Sequence, residues 1–540
     1  MRMSTLAFDR TFVIIRKRQW FLPLLLFLLA LIARLITWPH SDVVNADAVT
    51  RALIGESYMH YPGWRGDGVW PPLHFYLNGF FAVLCGSRVI GTVLVNILLG
   101  SAIVFPVFAF VRRWSGVAVA SAVALVVVFE PLVFRNSLQG LSEVPFFFFA
   151  ACAFNGLSAA QIAIGRASRG HAAVAGLFLT VAAGMRYEAW LLIPFLAVIL
   201  MIAHRWKSTA VFVVMAMIFP VTWMITGQVA YGNPFTGLEQ LVHWRGASVP
   251  VEIPESELLL RMAFFPVSFL AALSPLIIAL GFGAVAWAIL RKRLARDQWP
   301  WLLLFPIFLV IMVDKARHGE LLLQHRFTMT LVLLFIPYLA VGFSLLRHKI
   351  WLPVIALLLA VWTFQNSFQQ QLSGWVLSVS SHTRFAPATA FISEYTMDEM
   401  VAVPRLNERW PDELVGKLNT MDLDTGILVL DFFGWQETYN VALRADIRAT
   451  SIVFLPEALS DASDGEHHLE DYLNCLKHPH GILVVKELGA YANAVVSKRE
   501  GTDADQVLVI PLFTKELHLR DLGQFRDLHL YAFQAFERVP

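Results

Sequence analysis

Long apolar runs fill the first two-thirds of the chain, and short polar or basic connectors separate them. A membrane core of about 30 Å is crossed by about 20 apolar residues in a helix. The candidate spans, several of them short, are 20–38, 89–111, 117–134, 142–164, 172–185, 189–203, 209–226, 263–290, 299–313, 327–346 and 350–367. The pattern predicts a polytopic α-helical membrane protein with about 11 transmembrane helices.

Two apolar stretches affect how these spans are counted. Leu73–Leu84 is short for a span, and counting it would reverse the sidedness of every later loop. We therefore expect an interfacial or re-entrant helix there. The first run follows Arg16-Lys17-Arg18 and lacks a small-residue cleavage site, so we expect an uncleaved first span.

Basic residues gather at alternate connectors, and cytoplasmic loops carry an excess of Lys and Arg. The clusters are Arg16 to Arg18, Arg112 with Arg113, Arg166 with Arg169, His204 to Lys207, Arg291 to Arg296, and Arg347 with Lys349. The other loops are predicted to face outward; they are 39–88, 135–141, 186–188, 227–262 and 314–326. An odd number of spans then places 368–540 outside as well.

Beyond about Ser380 the chain becomes charged and mixed, and strand-like and helix-like stretches alternate. The strand-like runs are Gly426–Asp431, Thr450–Leu455, Gly481–Lys486, Gln506–Pro511 and Leu528–Phe533, and the helix-like stretches are Trp435–Arg444 and Glu466–Leu476. This alternation predicts an α/β domain. We thus expect a transmembrane part, 1–367, with a large first outer loop at 39–88, followed by an extracytoplasmic α/β domain, 368–540.

Composition agrees with a membrane protein. Of 540 residues, 57% are hydrophobic and 15% charged, against about 25% charged in soluble chains. The net charge of +2 gives no indication of a nucleic-acid partner. Only Cys475 of the three cysteines lies outside the apolar part, which argues against a disulfide framework.

Several ionisable residues stand at predicted outward ends of spans, where charge is costly unless it is paired or functional. Asp47 lies in the acidic stretch Ser41–Pro72. It is a candidate general base, or it is a structural acid, either at a helix N-terminus or in a solvated loop. Glu143 is a helix N-terminal charge capped through Ser142, or a second carboxylate that faces Asp47 and binds a metal or the acceptor.

Two arginines each have a structural and a phosphate-binding interpretation. Arg186, in Arg186-Tyr187-Glu188, forms an ion pair or clamps a phosphate, because the arginine fork binds phosphate oxygens bidentately. Arg326, after His325, extends to the interface or provides a second phosphate ligand. The long outward loop 227–262, with Asn233 in a turn and His243 beyond it, is a candidate lid.

Six short sequence motifs occur in order along the chain: Asn45-Ala46-Asp47, Trp70-Pro71-Pro72-Leu73-His74-Phe75-Tyr76, Leu141-Ser142-Glu143-Val144-Pro145-Phe146, Met185-Arg186-Tyr187-Glu188, Tyr231-Gly232-Asn233-Pro234 and His325-Arg326-Phe327. As an ordered set, they resemble the GT-C superfamily of integral-membrane glycosyltransferases, particularly the protein-mannosyltransferase and aminoarabinose-transferase branch, over about residues 10–365. The Trp-Trp-Asp signature of oligosaccharyltransferases is missing, which disfavours transfer of a preassembled glycan to Asn.

The resemblance implies an inverting transferase that moves a sugar from a polyprenyl-phosphate donor, within membrane lipid, to a hydroxyl acceptor at the outer face. It implies catalytic roles for Asp47 and Glu143 and donor-phosphate binding by Arg186 and Arg326. The implied substrate-binding residues are Tyr187, Glu188, Asn233, His243 and His325. Many relatives carry two acids in the first-loop motif. Here Asn45 takes the first place, which weakens the case for a divalent cation held by this loop alone.

Two other classes of function stay open at this stage. A lipid or glycan transporter or flippase would favour ionisable residues near mid-membrane and a repeated span pattern. An envelope scaffold would use the membrane part as an anchor, and residues 380–540 would then bind a partner or recognise the acceptor. In each case we expect a multi-pass protein of the plasma or inner membrane with an extracytoplasmic C-terminus.

Overall fold

The computed structural model describes residues 21–40, 46–60, 62–63, 70–240, 255–345, 410–421, 426–431, 435–445, 452–454, 480–486, 508–511 and 515–537. They fall into two compact units. The second unit joins Leu406–Pro540 to two pieces of the predicted first outer loop region, Val43–Pro62 and Asn78–Gly91, and the first unit holds most of the apolar helices. The predicted boundary at 367/368 lies outside the described residues.

Helices account for almost all of the described chain up to residue 345. The first eight are α1 Phe21–Thr37, α2 Ala46–His60, α3 Leu73–Cys85, α4 Arg88–Ala102, α5 Val104–Ser115, α6 Val117–Val128, α7 Pro131–Gln139 and α8 Glu143–Ile162. The next eight are α9 Gly165–Ala183, α10 Glu188–Ile202, α11 Trp206–Ala216, α12 Ile218–Tyr231, α13 Glu255–Ala272, α14 Pro275–Leu290, α15 Trp299–Arg317 and α16 Met329–Ser344.

These helices form a multi-pass membrane protein. Their outer faces carry large apolar side chains, such as Leu24 (45% exposed) and Ile36 (66% exposed) on α1. Helices can cross lipid because every interior backbone group is bonded within the segment. Among the described residues, four helical stretches are long and apolar enough to cross a membrane: Arg88–Ser115, Glu143–Ile162, Trp299–Arg317 and His325–Ser344.

Three predicted single spans are bent pairs of helices. The pairs α6 with α7, α11 with α12, and α13 with α14 bend by 53°, 42° and 101°, and treating each as one span raises the count to up to seven. The prediction of one continuous helix at 263–290 is therefore wrong. Proline causes the break, because Pro275 fits the first position of a new helix but ends the preceding one. The span 350–367 lies outside the described residues, so the count of eleven stays a prediction.

A completely buried arginine, Arg34, lies between the apolar helices. Arg34, in the last turn of α1, donates to the Ser137 hydroxyl of α7 at 3.1 Å and to the carbonyl oxygens of Val128 and Ala30 at 2.8 and 3.3 Å. Its guanidinium carbon lies 4.7 Å from the centre of the Phe134 ring. We refer to this arrangement as the Arg34 contact. It satisfies a carbonyl that the end of α6 leaves without a helical partner.

The second unit contains a mixed six-stranded sheet with strand order β2-β1-β3-β6-β5-β4. The strands are β1 Ile427–Leu430, β2 Ile452–Phe454, β3 His480–Lys486, β4 Leu508–Pro511, β5 Lys515–Phe525 and β6 Leu528–Glu537, and the helices are α17 Trp410–Asn419 and α18 Trp435–Arg444. β1 pairs in parallel with β2 and β3, and the remaining pairs are antiparallel. The predicted α/β domain is confirmed, although β5 and α17 were not predicted and Glu466–Leu476 lies outside the described residues.

In the same unit, the first-loop helix α2 packs against α18. Arg88 at the start of α4 strengthens this packing. Its Nε lies 2.9 Å from Glu56 Oε2 on α2, and its Nη1 donates to the Ala442 carbonyl of α18 at 3.1 Å. A single side chain thus joins the helix after the first span to the α/β domain.

Candidate functional site

The site is built around the tight turn between α9 and α10, which carries Arg186. The Arg186 amide donates to the Ala182 carbonyl at 3.0 Å, and the Trp190 indole donates to the Ala183 carbonyl at 3.2 Å. A Cβ on Gly184 would lie 2.2 Å from Leu73 Cδ1, so only glycine permits this close packing. The turn holds the base of the Arg186 side chain in place.

Glu143 approaches from another connector, the one between α7 and α8. Gly140 ends α7 with φ 72°, a left-handed conformation that suits glycine, and Glu143 then begins α8. The Ser142 side chain makes no capping bond to the helix, so the predicted cap through Ser142 is wrong. Instead its Oγ accepts a hydrogen bond from Arg186 Nη1 at 3.3 Å. The Glu143 side chain is 3% exposed.

Arg186 lies between two carboxylates. Its Nη1 is 2.6 Å from Glu143 Oε1, and its Nη2 is 2.6 Å from Glu188 Oε1. Its Nε also donates to both oxygens of Glu188, at 3.1 and 3.2 Å. Glu188 therefore occupies the Nε–Nη2 edge of the guanidinium as a bidentate partner, the geometry that a phosphate would use. The ion-pair interpretation of Arg186-Tyr187-Glu188 is confirmed.

Arg326 reaches the same buried carboxylate from a third connector. It belongs to a 3-10 turn, His325–Thr328, just before α16. Its Nε lies 3.3 Å from Glu143 Oε1 and donates to Gln324 Oε1 at 2.8 Å. The Arg326 side chain is 14% exposed and lies against Glu143.

One aromatic ring lies beside both arginines. The guanidinium carbons of Arg186 and Arg326 are 5.2 and 5.4 Å from the centre of the Phe327 ring. Both distances fall within the range of a cation–π contact. Phe327 thus gives the two cations a shared apolar support that adds no negative charge.

We call Glu143, Arg186, Glu188 and Arg326 the arginine–glutamate cluster. Its exposure increases outward: the side chains of Glu143, Arg186, Arg326 and Glu188 are 3%, 11%, 14% and 31% exposed. Two cations and two anions give no formal net charge. Glu143 is the buried centre that holds both arginines, and Glu188 is the member most open to solvent.

Two other predicted substrate-binding residues are next to the cluster in sequence but make different contacts. His325 is buried, and its Nδ1 is paired with the Ser268 hydroxyl of α13, which is also bonded to Thr328 Oγ1. The Tyr187 ring packs edge-on against Trp190, with centroids 5.3 Å apart. Their substrate-binding roles stay predictions.

Of the remaining predicted residues, two lie on other elements and one lies outside the described residues. Asp47 lies in the first turn of α2, in the second unit. Asn233 bonds within its own turn, where its Oδ1 accepts from the Phe235 amide at 2.9 Å. His243 lies outside the described residues. Within the described ranges, no group of three or more His, Cys, Asp and Glu side chains could hold a metal ion.

Two contacts of the cluster were not anticipated from the sequence. Gln324 fixes Arg326 through its Nε, and Ser142 contacts Arg186 from 44 positions away. Both residues are uncharged and lie in connectors, so neither the spacing of hydrophobic residues nor the distribution of charged residues identifies them as site residues. The position of Gln324 two residues before Arg326 is the one local indication that the sequence offers.

Comparison with solved structures identifies the fold. The crystal structure of ArnT from Cupriavidus metallidurans bound to undecaprenyl phosphate superposes with a TM-score of 0.60 at 12% identity, covering 94% of this chain and 97% of that one. The apo structure of the same protein gives 0.57 at 13% identity, with the same coverage of both chains. The apo oligosaccharyltransferase of Archaeoglobus fulgidus gives 0.48 at 12% identity, covering 86% of this chain and 69% of that one.

No protein-family model matches the sequence, and no curated protein matches it. At 12–13% identity the agreement with ArnT shows a common fold. The chain therefore shares the fold of ArnT over 94% of its length, which extends beyond the part that the sequence resemblance covers. The expected fold class, a polytopic α-helical membrane protein with a C-terminal α/β domain, is confirmed, whereas the helix count stays a prediction.

Proposed function

We propose that this protein is a membrane glycosyltransferase that moves a sugar from a polyprenyl-phosphate donor to a hydroxyl acceptor at the outer face of the membrane. The observation that carries the proposal is the convergence of Arg186 and Arg326, from two separate connectors, on the buried Glu143. Buried cations are costly in a membrane protein, and they persist where they are paired or take part in function. A lipid-linked phosphate is an anion of the kind that the arginine fork binds.

The fold supports the same donor class. ArnT, whose fold this chain shares, has been crystallised with undecaprenyl phosphate. A phosphate on a polyprenyl tail needs cationic groups for the phosphate and an apolar surface for the tail. The cluster provides the first, and the exposed apolar faces of the helices provide the second.

In the proposed reaction, the acceptor oxygen bonds to the anomeric carbon while the bond from that carbon to the phosphate oxygen breaks. Asp47, assigned from the sequence resemblance, takes the proton of the acceptor hydroxyl. Arg186 and Arg326 stabilise the charge that develops on the departing phosphate. The contacts of Glu143 favour a positioning role, because its carboxylate is already engaged with both arginines.

The proposal places the α/β domain on the outer side. The first-loop helix α2 packs against α18 within one unit, and Arg88 contacts both helices. Because α2 follows the first span at the end opposite Arg16-Lys17-Arg18, the positive-inside rule assigns this unit to the extracytoplasmic face.

An impermeant thiol reagent tests that sidedness at Cys475. The two free cysteines of the described residues, Cys85 and Cys152, are first replaced by serine and alanine. We expect intact cells or right-side-out vesicles to label Cys475. Labelling that requires lysis would place the domain on the cytoplasmic side.

The function itself is tested by transfer with the purified full-length protein and a panel of polyprenyl-phosphate sugars. We expect one donor to support transfer and Asp47→Asn to abolish it without altering the elution volume in detergent. Lack of transfer from every donor would contradict the donor class. Full activity of Asp47→Asn would remove Asp47 from the mechanism and leave the donor class intact.

A further inference from the structure

Glu188 and Glu143 contact the same arginine but differ in how firmly they are held. Glu143 is 3% exposed and lies within 3.3 Å of both Arg186 and Arg326, whereas Glu188 is 31% exposed and contacts Arg186. Separating a buried carboxylate from its cations is strongly unfavourable, but an ion pair that water reaches contributes little. Glu188 is therefore the exchangeable partner.

Glu188 also occupies the edge of Arg186 that suits a phosphate. Its two oxygens accept from Nε at 3.1 and 3.2 Å, and one of them lies 2.6 Å from Nη2. A phosphate group binds an arginine fork through the same pair of parallel N–H bonds. A phosphate and the Glu188 carboxylate cannot occupy this edge together.

We propose that Glu188 is an exchange carboxylate, which leaves Arg186 when the lipid-linked phosphate binds and returns as the phosphate departs. This inference rests on the proposed function and adds a role at the same site. With Glu188 in place the cluster has no formal net charge, and without it the charge is +1. A polyprenyl-phosphate sugar is a phosphodiester of charge −1, which balances the +1 charge of the cluster without Glu188.

The exchange has a direct consequence for product release. After transfer, the donor has become a phosphomonoester, whose charge near pH 7 is about −1.5 to −2. Without Glu188, the remaining cluster of charge +1 would hold that product more tightly than the donor. When Glu188 returns to Arg186 it competes with the product, and the product then dissociates sooner.

The test is the affinity of the full-length protein for undecaprenyl monophosphate in detergent, measured by calorimetric titration of the wild type and Glu188→Gln. Glutamine keeps the size and an acceptor oxygen but removes the charge. We expect Glu188→Gln to bind about fivefold more tightly, the upper end for a partly exposed pair, and the product to inhibit transfer more strongly by a similar factor. Glu188→Ala provides the same comparison if the glutamine variant does not fold.

Glu320→Gln is the matched control, because Glu320 is an exposed carboxylate paired with Lys315. We expect its affinity to remain that of the wild type. Equal or weaker binding by Glu188→Gln overturns the exchange, since a purely structural or substrate-binding role cannot tighten the complex.

The outcomes separate this inference from the proposed function. A wild type that neither binds the lipid phosphate nor transfers sugar overturns both. A wild type that binds but transfers nothing overturns the function, and the affinity of Glu188→Gln still decides the exchange. If the wild type binds the lipid phosphate and transfers sugar, but Glu188→Gln has the wild-type affinity, the exchange alone is overturned.

Discussion

Arg34 and Arg186 are two arginines with low exposure in the same helical unit, and their partners differ in kind. Arg34 donates hydrogen bonds to two backbone carbonyls and a hydroxyl, and the Phe134 ring lies beside its guanidinium. The donors of Arg186 go to two carboxylates and the hydroxyl of Ser142. Arg34 is completely buried, whereas Arg186 retains 11% side-chain exposure.

The difference separates a structural arginine from a functional one. Backbone carbonyls are held in place by their helices, so the Arg34 contact is structural and joins α6 to α7 across the break between them. A carboxylate on a partly exposed side chain can leave, and a phosphate can replace it. Burial alone would have ranked Arg34 first as a candidate. The chemistry and mobility of the partners point instead to Arg186.

The largest expected effect is the loss of activity when Arg186 is removed. We expect Arg186→Ala to lower kcat/KM about 100-fold, the usual consequence of removing one donor that stabilises developing charge, and to raise the donor KM. Steady-state transfer kinetics with the full-length protein provide the measurement.

Arg205→Ala serves as the matched control for that variant. Arg205 also joins two helical segments, but only through the carbonyl of Gln161, at 3.2 and 3.1 Å. We expect its kinetics to remain close to those of the wild type. Similar losses in both variants would show that Arg186 acts through the fold and would remove the contrast with Arg34.

Much of the fold could be predicted from the spacing of hydrophobic residues along the chain. The range Trp435–Arg444 is helical as predicted, and five strand-like runs are strands. β5 was missed because Leu517 and Leu519 alternate with charged and polar residues and never form an apolar run. The 101° bend before Pro275 was missed because hydropathy continues across it.

A second, smaller effect should appear in stability when Arg34 is removed. Arg34→Ala leaves the Val128 carbonyl and the Ser137 hydroxyl without this donor, and we expect a loss of about 2 kcal/mol. Thermal unfolding in detergent measures it, and activity per folded molecule should not change. In Arg113→Ala the lost contact is an exposed one to Asn155, so we expect little change; an equal loss there would contradict the structural role of Arg34.

The candidate site was predictable in part. Glu143, Arg186, Glu188 and Arg326 were each selected from the sequence, and the structure brings them together. Their pairing was not predictable, because the three connectors that carry them are separated by as many as 183 positions (326 − 143) and only tertiary packing joins them. Glu143, one of the two predicted catalytic carboxylates, is engaged with both arginines, and whether it faces Asp47 stays a prediction.

The smallest expected effect concerns the stability of Glu188→Gln. An ion pair that solvent reaches contributes up to about 1 kcal/mol, so we expect the unfolding temperature to stay within a few degrees of the wild type. Thermal unfolding in the same detergent gives the comparison with Arg34→Ala. A loss larger than that of Arg34→Ala would mean that Glu188 is a fixed structural partner.

The central claim is that the arginine–glutamate cluster holds a lipid-linked phosphate. An experimental structure of the full-length protein with undecaprenyl monophosphate tests it most directly. We expect phosphate oxygens within hydrogen-bond distance of Arg186 and Arg326, Glu143 still between the two arginines, and the Glu188 carboxylate displaced. A phosphate bound elsewhere, with Glu188 still on Arg186, would contradict the account.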